Sequence, residues 1–194
     1  MAVAFFDLDG TLTKVDTFIP FCLLALLYRP WRVFALRPLI RACVYFYRGN
    51  MLRQDLKETF ITAFLSGAEK DDVARWSRIF LRIILPRIVR KEIIEKLQLH
   101  QQAGYRVYLV SASPDIYLKP LARQWRLEGA ICTTLEWKYG RLTGKILDKN
   151  CYGEEKARRI RVLFDKQELE GSFAYGNSDG DRQMLALVSF GLKI

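Results

Sequence analysis

Two acids, Asp7 and Asp9, stand two residues apart after the apolar run "AVAFF" and are followed at once by Gly10 and Thr11. An apolar run broken by glycine reads as a buried strand entering a tight turn, so one turn delivers both carboxylates. Three other stretches carry related chemistry. "VSAS" at 110–113 presents Ser111, "GEEK" at 153–156 presents Lys156, and "GNSDGD" at 176–181 presents Asn177, Ser178, Asp179 and Asp181. Clustered carboxylates repel unless a cation sits among them, and a hard cation with oxygen ligands and retained waters is Mg²⁺. An ionised aspartate beside such an ion can attack phosphorus and become an aspartyl-phosphate. A second carboxylate two residues on can protonate the leaving oxygen and then activate water. Ser111 and the backbone amides beside it, that of Ala112 included, can hold phosphoryl oxygens. Lys156 can offset the negative charge that aspartate and phosphate bring together. Phosphoryl transfer needs mostly placement and charge compensation, and this set supplies both.

The elements that must position these groups alternate along the chain. Residues 2–7 read as the first strand. "RKEIIEKLQLHQQAG" reads as a helix ending at Gly104, "YRVYLVSAS" as a strand, and "PDIYLKPLARQW" as a helix with Pro114 at its first position. A strand-rich stretch follows, with a hairpin expected at Tyr139-Gly140. Then come a helix at "GEEKARRIRVLF", a strand at "SFAYGN", a short helix at "DRQMLAL" and a last strand at "VSFGLKI". This alternation argues for an α/β fold with a parallel sheet covered by helices on both faces. In such sheets ligands bind at the carboxyl ends of strands, which is where the acids, Ser111 and Asn177 fall.

The four stretches "DLDGT", "VSAS", "GEEK" and "GNSDGD", in that order, resemble the four motifs of the haloacid dehalogenase (HAD) superfamily. The resemblance implies a Rossmann-like three-layer α/β/α core formed by residues 1–16 and 89–194. Residues 17–88, long helical patterns with many arginines, would be a helical cap inserted between the first and second motifs, as in the phosphoserine-phosphatase-like branch. It further implies Asp7 as nucleophile, Asp9 as acid/base, Ser111 and Lys156 as phosphate ligands, and a Mg²⁺ held by Asp7, Asp9 through its backbone carbonyl, and the last motif. That motif departs from the commonest form, because Asn177 stands in the first acidic place and Asp181 in the second. Either can be the direct ligand, and Asp179 is an extra acid. The implied activity is hydrolysis of a phosphate monoester, with transfer to an acceptor other than water as an alternative.

Other chemistries are excluded by what is missing. His100 is the only histidine, which excludes a histidine phosphatase and a Ser-His-Asp triad. The four cysteines, Cys22, Cys43, Cys132 and Cys151, begin no C-x5-R loop and form no C-x-x-C pair, and they suit reduced thiols in a cytoplasmic protein. There is no phosphate-binding G-x-x-x-x-G-K-[ST] loop. The N-terminal run carries no cleavable signal pattern. The stop at Ile194, just after an expected strand, leaves room for a downstream segment. Ser113 reads as the N-cap of the helix after Pro114. Asp16 and Thr17 read either as substrate contacts or as the N-cap of the first inserted helix.

The formal charge of +10 favours anionic partners. Between Thr17 and Gln54 there is no acid, but there are six arginines, at 29, 32, 37, 41, 48 and 53. At helical spacing Arg37, Arg41 and Arg48 share a face, with Leu36, Leu39, Cys43 and Phe46 roughly opposite. Two expectations follow. Either this is a helix packed on its neighbours with arginines in water, or it lies on an anionic membrane surface. On the second expectation the hydrophobic cap resembles those of phosphatidylglycerophosphate phosphatases within this branch, and that resemblance implies a phospholipid substrate such as phosphatidylglycerophosphate, at the inner face of the membrane; the alternative is a small soluble metabolite resembling phosphoserine. No nucleic-acid module accompanies the charge, so none is expected as partner.

Overall fold

The structure is a computed structural model and describes residues 2–194. Strand β1 (Val3–Phe6) lies at the centre of a five-stranded sheet. Its companions are β2 (Arg106–Pro114), β3 (Gly129–Thr133), β6 (Phe173–Gly176) and β7 (Phe190–Lys193), all paired in parallel in the order β3-β2-β1-β6-β7. The strand-helix alternation is therefore a three-layer α/β fold, as expected. Successive side chains of β1 point to opposite faces. Val3 and Phe5 enter a core with Ile160, Phe164 and Met184, while Ala4 and Phe6 enter a larger core with Leu97, Leu109 and Leu118. Both phenylalanines are fully buried, each stabilising the fold by about 1.5–3 kcal/mol.

The register sets the site. Phe6 pairs with Leu109 on one side and Tyr175 on the other. The next residues of each strand, Asp7, Val110-Ser111 and Gly176-Asn177, are thereby brought to one edge. Helix α6 (Lys91–Gln102) and α7 (Asp115–Gln124) supply residues to the larger core, and α8 (Glu154–Leu163) with α9 (Arg182–Leu185) to the smaller one. Helix α7 begins one residue later than expected: Pro114 precedes it in extended conformation. His100 is structural. Its Nε2 lies 2.9 Å from the Tyr175 hydroxyl among four aromatic rings, and burial lowers its pKa.

Residues 17–88 form α1 (Phe18–Tyr28), a 3₁₀ turn (Pro30–Leu36), α2 (Arg37–Tyr47), α3 (Arg53–Leu65), α4 (Lys70–Ile79) and the short α5 (Leu85–Ile88). A break at Ser66-Gly67 separates α3 from α4. Strands β4 (Leu135–Lys138) and β5 (Arg141–Ile146) form the hairpin, turning at Tyr139 and Gly140, both with positive φ. This hairpin packs on α3 rather than on the main sheet. Glu58 accepts from the Ile146 amide at 3.1 Å, and Gly144 is required where β5 meets Thr62, since a Cβ there would lie 2.5 Å from its Oγ1. No helix among the described residues is long and apolar enough to cross a membrane.

Candidate active site

The turn after β1 holds the first two acids. Gly10 has φ +81°, and a Cβ on it would come within 2.2 Å of Asn177 Nδ2. Glycine is thus needed twice, for the backbone conformation and for the approach of the loop after β6. Asp7, Asp9, Ser111, Ala112, Lys156 and Ser178 all line one cleft of about 340 Å³. A larger open hollow of about 1010 Å³ beside α4 and α7 contains none of these residues, and Asp115 is the one acid in its lining.

Lys156, in the first turn of α8, is the centre of the buried charge. Its Nζ lies 2.6 Å from Asp7 Oδ1 and 2.6 Å from Asp181 Oδ1, with all three side chains almost wholly buried. Burial works against the ammonium, but the two carboxylates outweigh it and raise its pKa. Burial likewise opposes the charge on Asp181, yet Lys156 and the bonds from Ser178 hold its pKa below the usual range. Asp7 is pushed up to about 7. Burial is the main cause, Lys156 opposes it, and the charges of Asp181 and Asp9 add to it. Burial is reinforced by a charge imbalance: one lysine serves two buried carboxylates, so this buried trio carries one negative charge in excess.

Asp9 is held differently. Its Oδ1 accepts from the Thr17 amide at 2.7 Å and the Thr17 hydroxyl at 2.6 Å. Its Oδ2 accepts from Ser113 Oγ at 2.5 Å and faces Ser111 Oγ at 3.3 Å. Ser113 is therefore not a helix cap: its hydroxyl bonds Asp9 and Tyr117 instead. Asp16 does cap α1, accepting from the Phe18 and Ile19 amides, and it also lines the cleft.

In the last motif, Asp181 Oδ2 accepts from the Asn177 and Ser178 amides and the Ser178 hydroxyl. Both Asp181 oxygens are thus engaged, one by the turn and one by Lys156. Asp179 is exposed and absent from the cleft lining. The Thr11 hydroxyl lies 3.1 Å from Asp7 Oδ2 and 3.4 Å from Asn177 Oδ1, so a carboxylate oxygen and an amide oxygen converge on one polar point. No three of His, Cys, Asp and Glu gather into a ligand cluster among the described residues. A few hard oxygen donors fit Mg²⁺, which keeps several waters, better than a metal needing a full protein cage.

One cleft residue has no precedent in the motifs. Lys57, from α3, donates from Nζ to the Ala112 carbonyl and to Asn150 Oδ1 (3.2 Å), tying the helical segment to the loop after β2. Removal from water pushes its pKa down to about 8 against the opposing pull of Asp9 and Asp16. Helical periodicity places Lys57 on a face but says nothing of its partners, which are 55 and 93 residues away.

A strand-end acid pair, a buried lysine and a hydroxyl-lined cleft on this sheet define a HAD-type phosphatase. Residues 4–186 match the model of the haloacid dehalogenase-like hydrolases, and the chain belongs to that family. It is 31% identical over 187 residues to the protein CicA of Caulobacter vibrioides, covering 94% of this chain and 81% of that one. It is 30% identical to the phosphoserine phosphatase SerB1 of Mycobacterium tuberculosis, over the whole of this chain and 64% of the relative. Among solved structures, a Bordetella pertussis protein of unknown function superposes with a TM-score of 0.81 at 25% identity, covering 97% of this chain and 87% of its own. A substrate-bound phosphoserine phosphatase superposes with a TM-score of 0.67 at 21% identity over 99% of this chain and 84% of its own, a likeness of fold.

Proposed function

We propose that the protein is a Mg²⁺-dependent phosphomonoesterase working through an aspartyl-phosphate on Asp7. The observation that carries this reading is the geometry of Asp7. One of its oxygens is held by Lys156 at 2.6 Å, and the other faces the Thr11 hydroxyl beside Asn177. Asp7 Oδ2, Asn177 Oδ1 and the Asp9 backbone carbonyl are the donors that would hold Mg²⁺, with Asp181 positioning the turn and Lys156 rather than binding the ion directly. The ion supplies positive charge that keeps Asp7 ionised and polarises the phosphoryl group. Asp9, oriented by Thr17 and Ser113, gives its proton to the leaving oxygen and later takes one from water. Ser111, the amides around Ala112, and Lys156 hold the phosphoryl oxygens. Residues 17–88 act as a cap over this core, and Lys57 fastens it to the loop that carries Ser111.

The substrate we assign is a phosphate monoester on a lipid headgroup, with the enzyme peripheral on the inner face of the membrane. Support comes from the acid-free, arginine-bearing helical segment and from the apolar cleft wall formed by Phe18, Ile19, Leu56 and Phe60. The unpaired state of all four cysteines suits a cytoplasmic location. A second reading, a small zwitterionic ester such as phosphoserine, is favoured by Asp16, Arg53 and Lys57 lining the same cleft and by the relatives named phosphoserine phosphatases. A panel of monoesters separates the two: phosphatidylglycerophosphate, lysophosphatidate and phosphoserine, each with and without anionic vesicles. Turnover of the lipid esters that vesicles accelerate supports the first. Equal turnover of soluble esters, unaffected by vesicles, overturns it.

A further inference from the structure

The exposed large apolar side chains are concentrated in one segment. More than half of those among the described residues fall between 19 and 52, with Leu27 79% exposed, Phe34 77% and Tyr47 90%. The 3₁₀ turn buries none of its residues, yet it is firmly held. Arg29 donates to the Ser66 carbonyl at 3.0 Å and Arg32 Nε to the Ala63 carbonyl at 2.9 Å. Both arginines therefore satisfy carbonyls at the C-terminal end of α3, and the turn presents Trp31 and Phe34 outward from a fixed base. Arg37, Arg41 and Arg48 have no such duty: all three are exposed, with no ion pair among the described residues. Ile40, Val44, Tyr45 and Tyr47 are exposed among them. A helix side facing only water would not interleave arginines with large apolar groups, and an apolar surface of this extent marks an interaction site.

The composition selects the occupant. A second copy would set arginine against arginine with no acid in the segment to answer it. Aliphatic side chains such as Leu27, Ile40 and Val44 have no role on a phosphodiester backbone. Apolar and aromatic side chains rimmed by arginine match the headgroup boundary of an anionic bilayer. The surface also leads to the cleft. Ile19, Leu23 and Leu27 repeat every fourth residue along one side of α1, a run of about 12 Å at the helical rise, and Ile19 lines the cleft. Arg53 lies over the ring of Tyr152, a cleft residue, at 4.4 Å and over Phe46 of α2 at 5.9 Å.

We infer that the outer face of residues 19–52, with the 3₁₀ turn as its inserted edge, docks on an anionic bilayer and holds the cleft mouth at headgroup level. Only the last clause rests on the function proposed above. The docking is tested with the full chain carrying Asp7→Asn, so that turnover plays no part, by co-sedimentation with phosphatidylcholine vesicles with or without phosphatidylglycerol. Binding is expected to the anionic vesicles and to weaken with salt. The triple variant Arg37→Gln, Arg41→Gln, Arg48→Gln loses about 100-fold in partition coefficient, at about five-fold per arginine. Trp31→Ser with Phe34→Ser loses binding that salt alone does not remove. Hydrolysis of a soluble aryl phosphate by the wild-type background is unchanged by either set, which shows that the variants fold. No binding to anionic vesicles, binding indifferent to both variant sets, or a stable dimer abolished by Phe34→Ser overturns the docking. Vesicle binding without aryl phosphate turnover supports the docking and contradicts the phosphatase mechanism instead.

Discussion

Replacing Asp7 should stabilise the metal-free protein, and by an amount that depends on pH. Asp7 is buried and pushed up to about 7, against an ordinary value of 3.8. A carboxyl whose pKa is raised on folding favours the folded state below its unfolded pKa, and that contribution is lost as pH rises through the folded pKa. The amide introduced by Asp7→Asn keeps the shape and the neutral state of a protonated Asp7 at every pH. Between pH 5 and pH 8 the unfolded wild type has already released this proton, and the folded one releases it only above about 7. The difference spans about two pKa units, or about 3 kcal/mol at 1.36 kcal/mol per unit. For a chain of this size that is roughly 6–12 °C in Tm. Thermal unfolding of wild type and Asp7→Asn in EDTA, at pH 5, 6, 7 and 8, reads it directly. Asp7→Asn should gain on the wild type progressively across this range. Mg²⁺ should then close the gap by stabilising the wild type more than the variant. A gap that does not change with pH, or a wild type that is the more stable at pH 8 in EDTA, would refute the charge imbalance argued for Asp7, Lys156 and Asp181.

Other outcomes follow from the same geometry. Lys156→Met strands two buried carboxylates, so it should cost about 3–5 kcal/mol by denaturant unfolding at pH 8, and adding Asp181→Asn should recover part of the loss. Ser113→Ala removes the 2.5 Å bond to Asp9 and should lower kcat about ten-fold or more with KM little changed, as read by steady-state kinetics. Asn177→Asp should strengthen Mg²⁺ affinity in a calorimetric titration, since a carboxylate is a stronger ligand than an amide; no change in affinity would remove Asn177 from the ligand set. Lys57→Met should raise KM more than it lowers kcat and make the α3 segment more open to limited proteolysis, since its bonds to Ala112 and Asn150 are lost.

The parts of this molecule that could be read from its sequence are those set by local pattern. Apolar runs closed by Asp7, Ser111 and Asn177 became parallel strands ending at one edge, because a buried strand and a glycine-broken turn are both short-range features. Ser113 shows where local reasoning fails. A serine before proline looks like a helix cap, but its hydroxyl finds Asp9, 104 residues away. Nothing in the spacing reports that a strand register will bring those two loops together. The same holds for Thr17, whose amide and hydroxyl both serve Asp9, and for Lys57. The arginines of the helical segment divide for a related reason. All six look alike in sequence, but Arg29 and Arg32 meet the carbonyls at the end of α3 only after the chain has turned back on itself. The bonds that engage both oxygens of Asp181, one to Lys156 and the other to the turn, are equally invisible to spacing.

The central claim is that Asp7 itself becomes phosphorylated. The most direct measurement is acid quenching during turnover of a phosphate monoester with Mg²⁺, followed by peptide mapping by mass spectrometry. The mechanism predicts a hydroxylamine-sensitive phosphoryl adduct on Asp7, absent in Asp7→Asn and accumulating in Asp9→Asn. An adduct on any other residue, or continued turnover by Asp7→Asn, would contradict it.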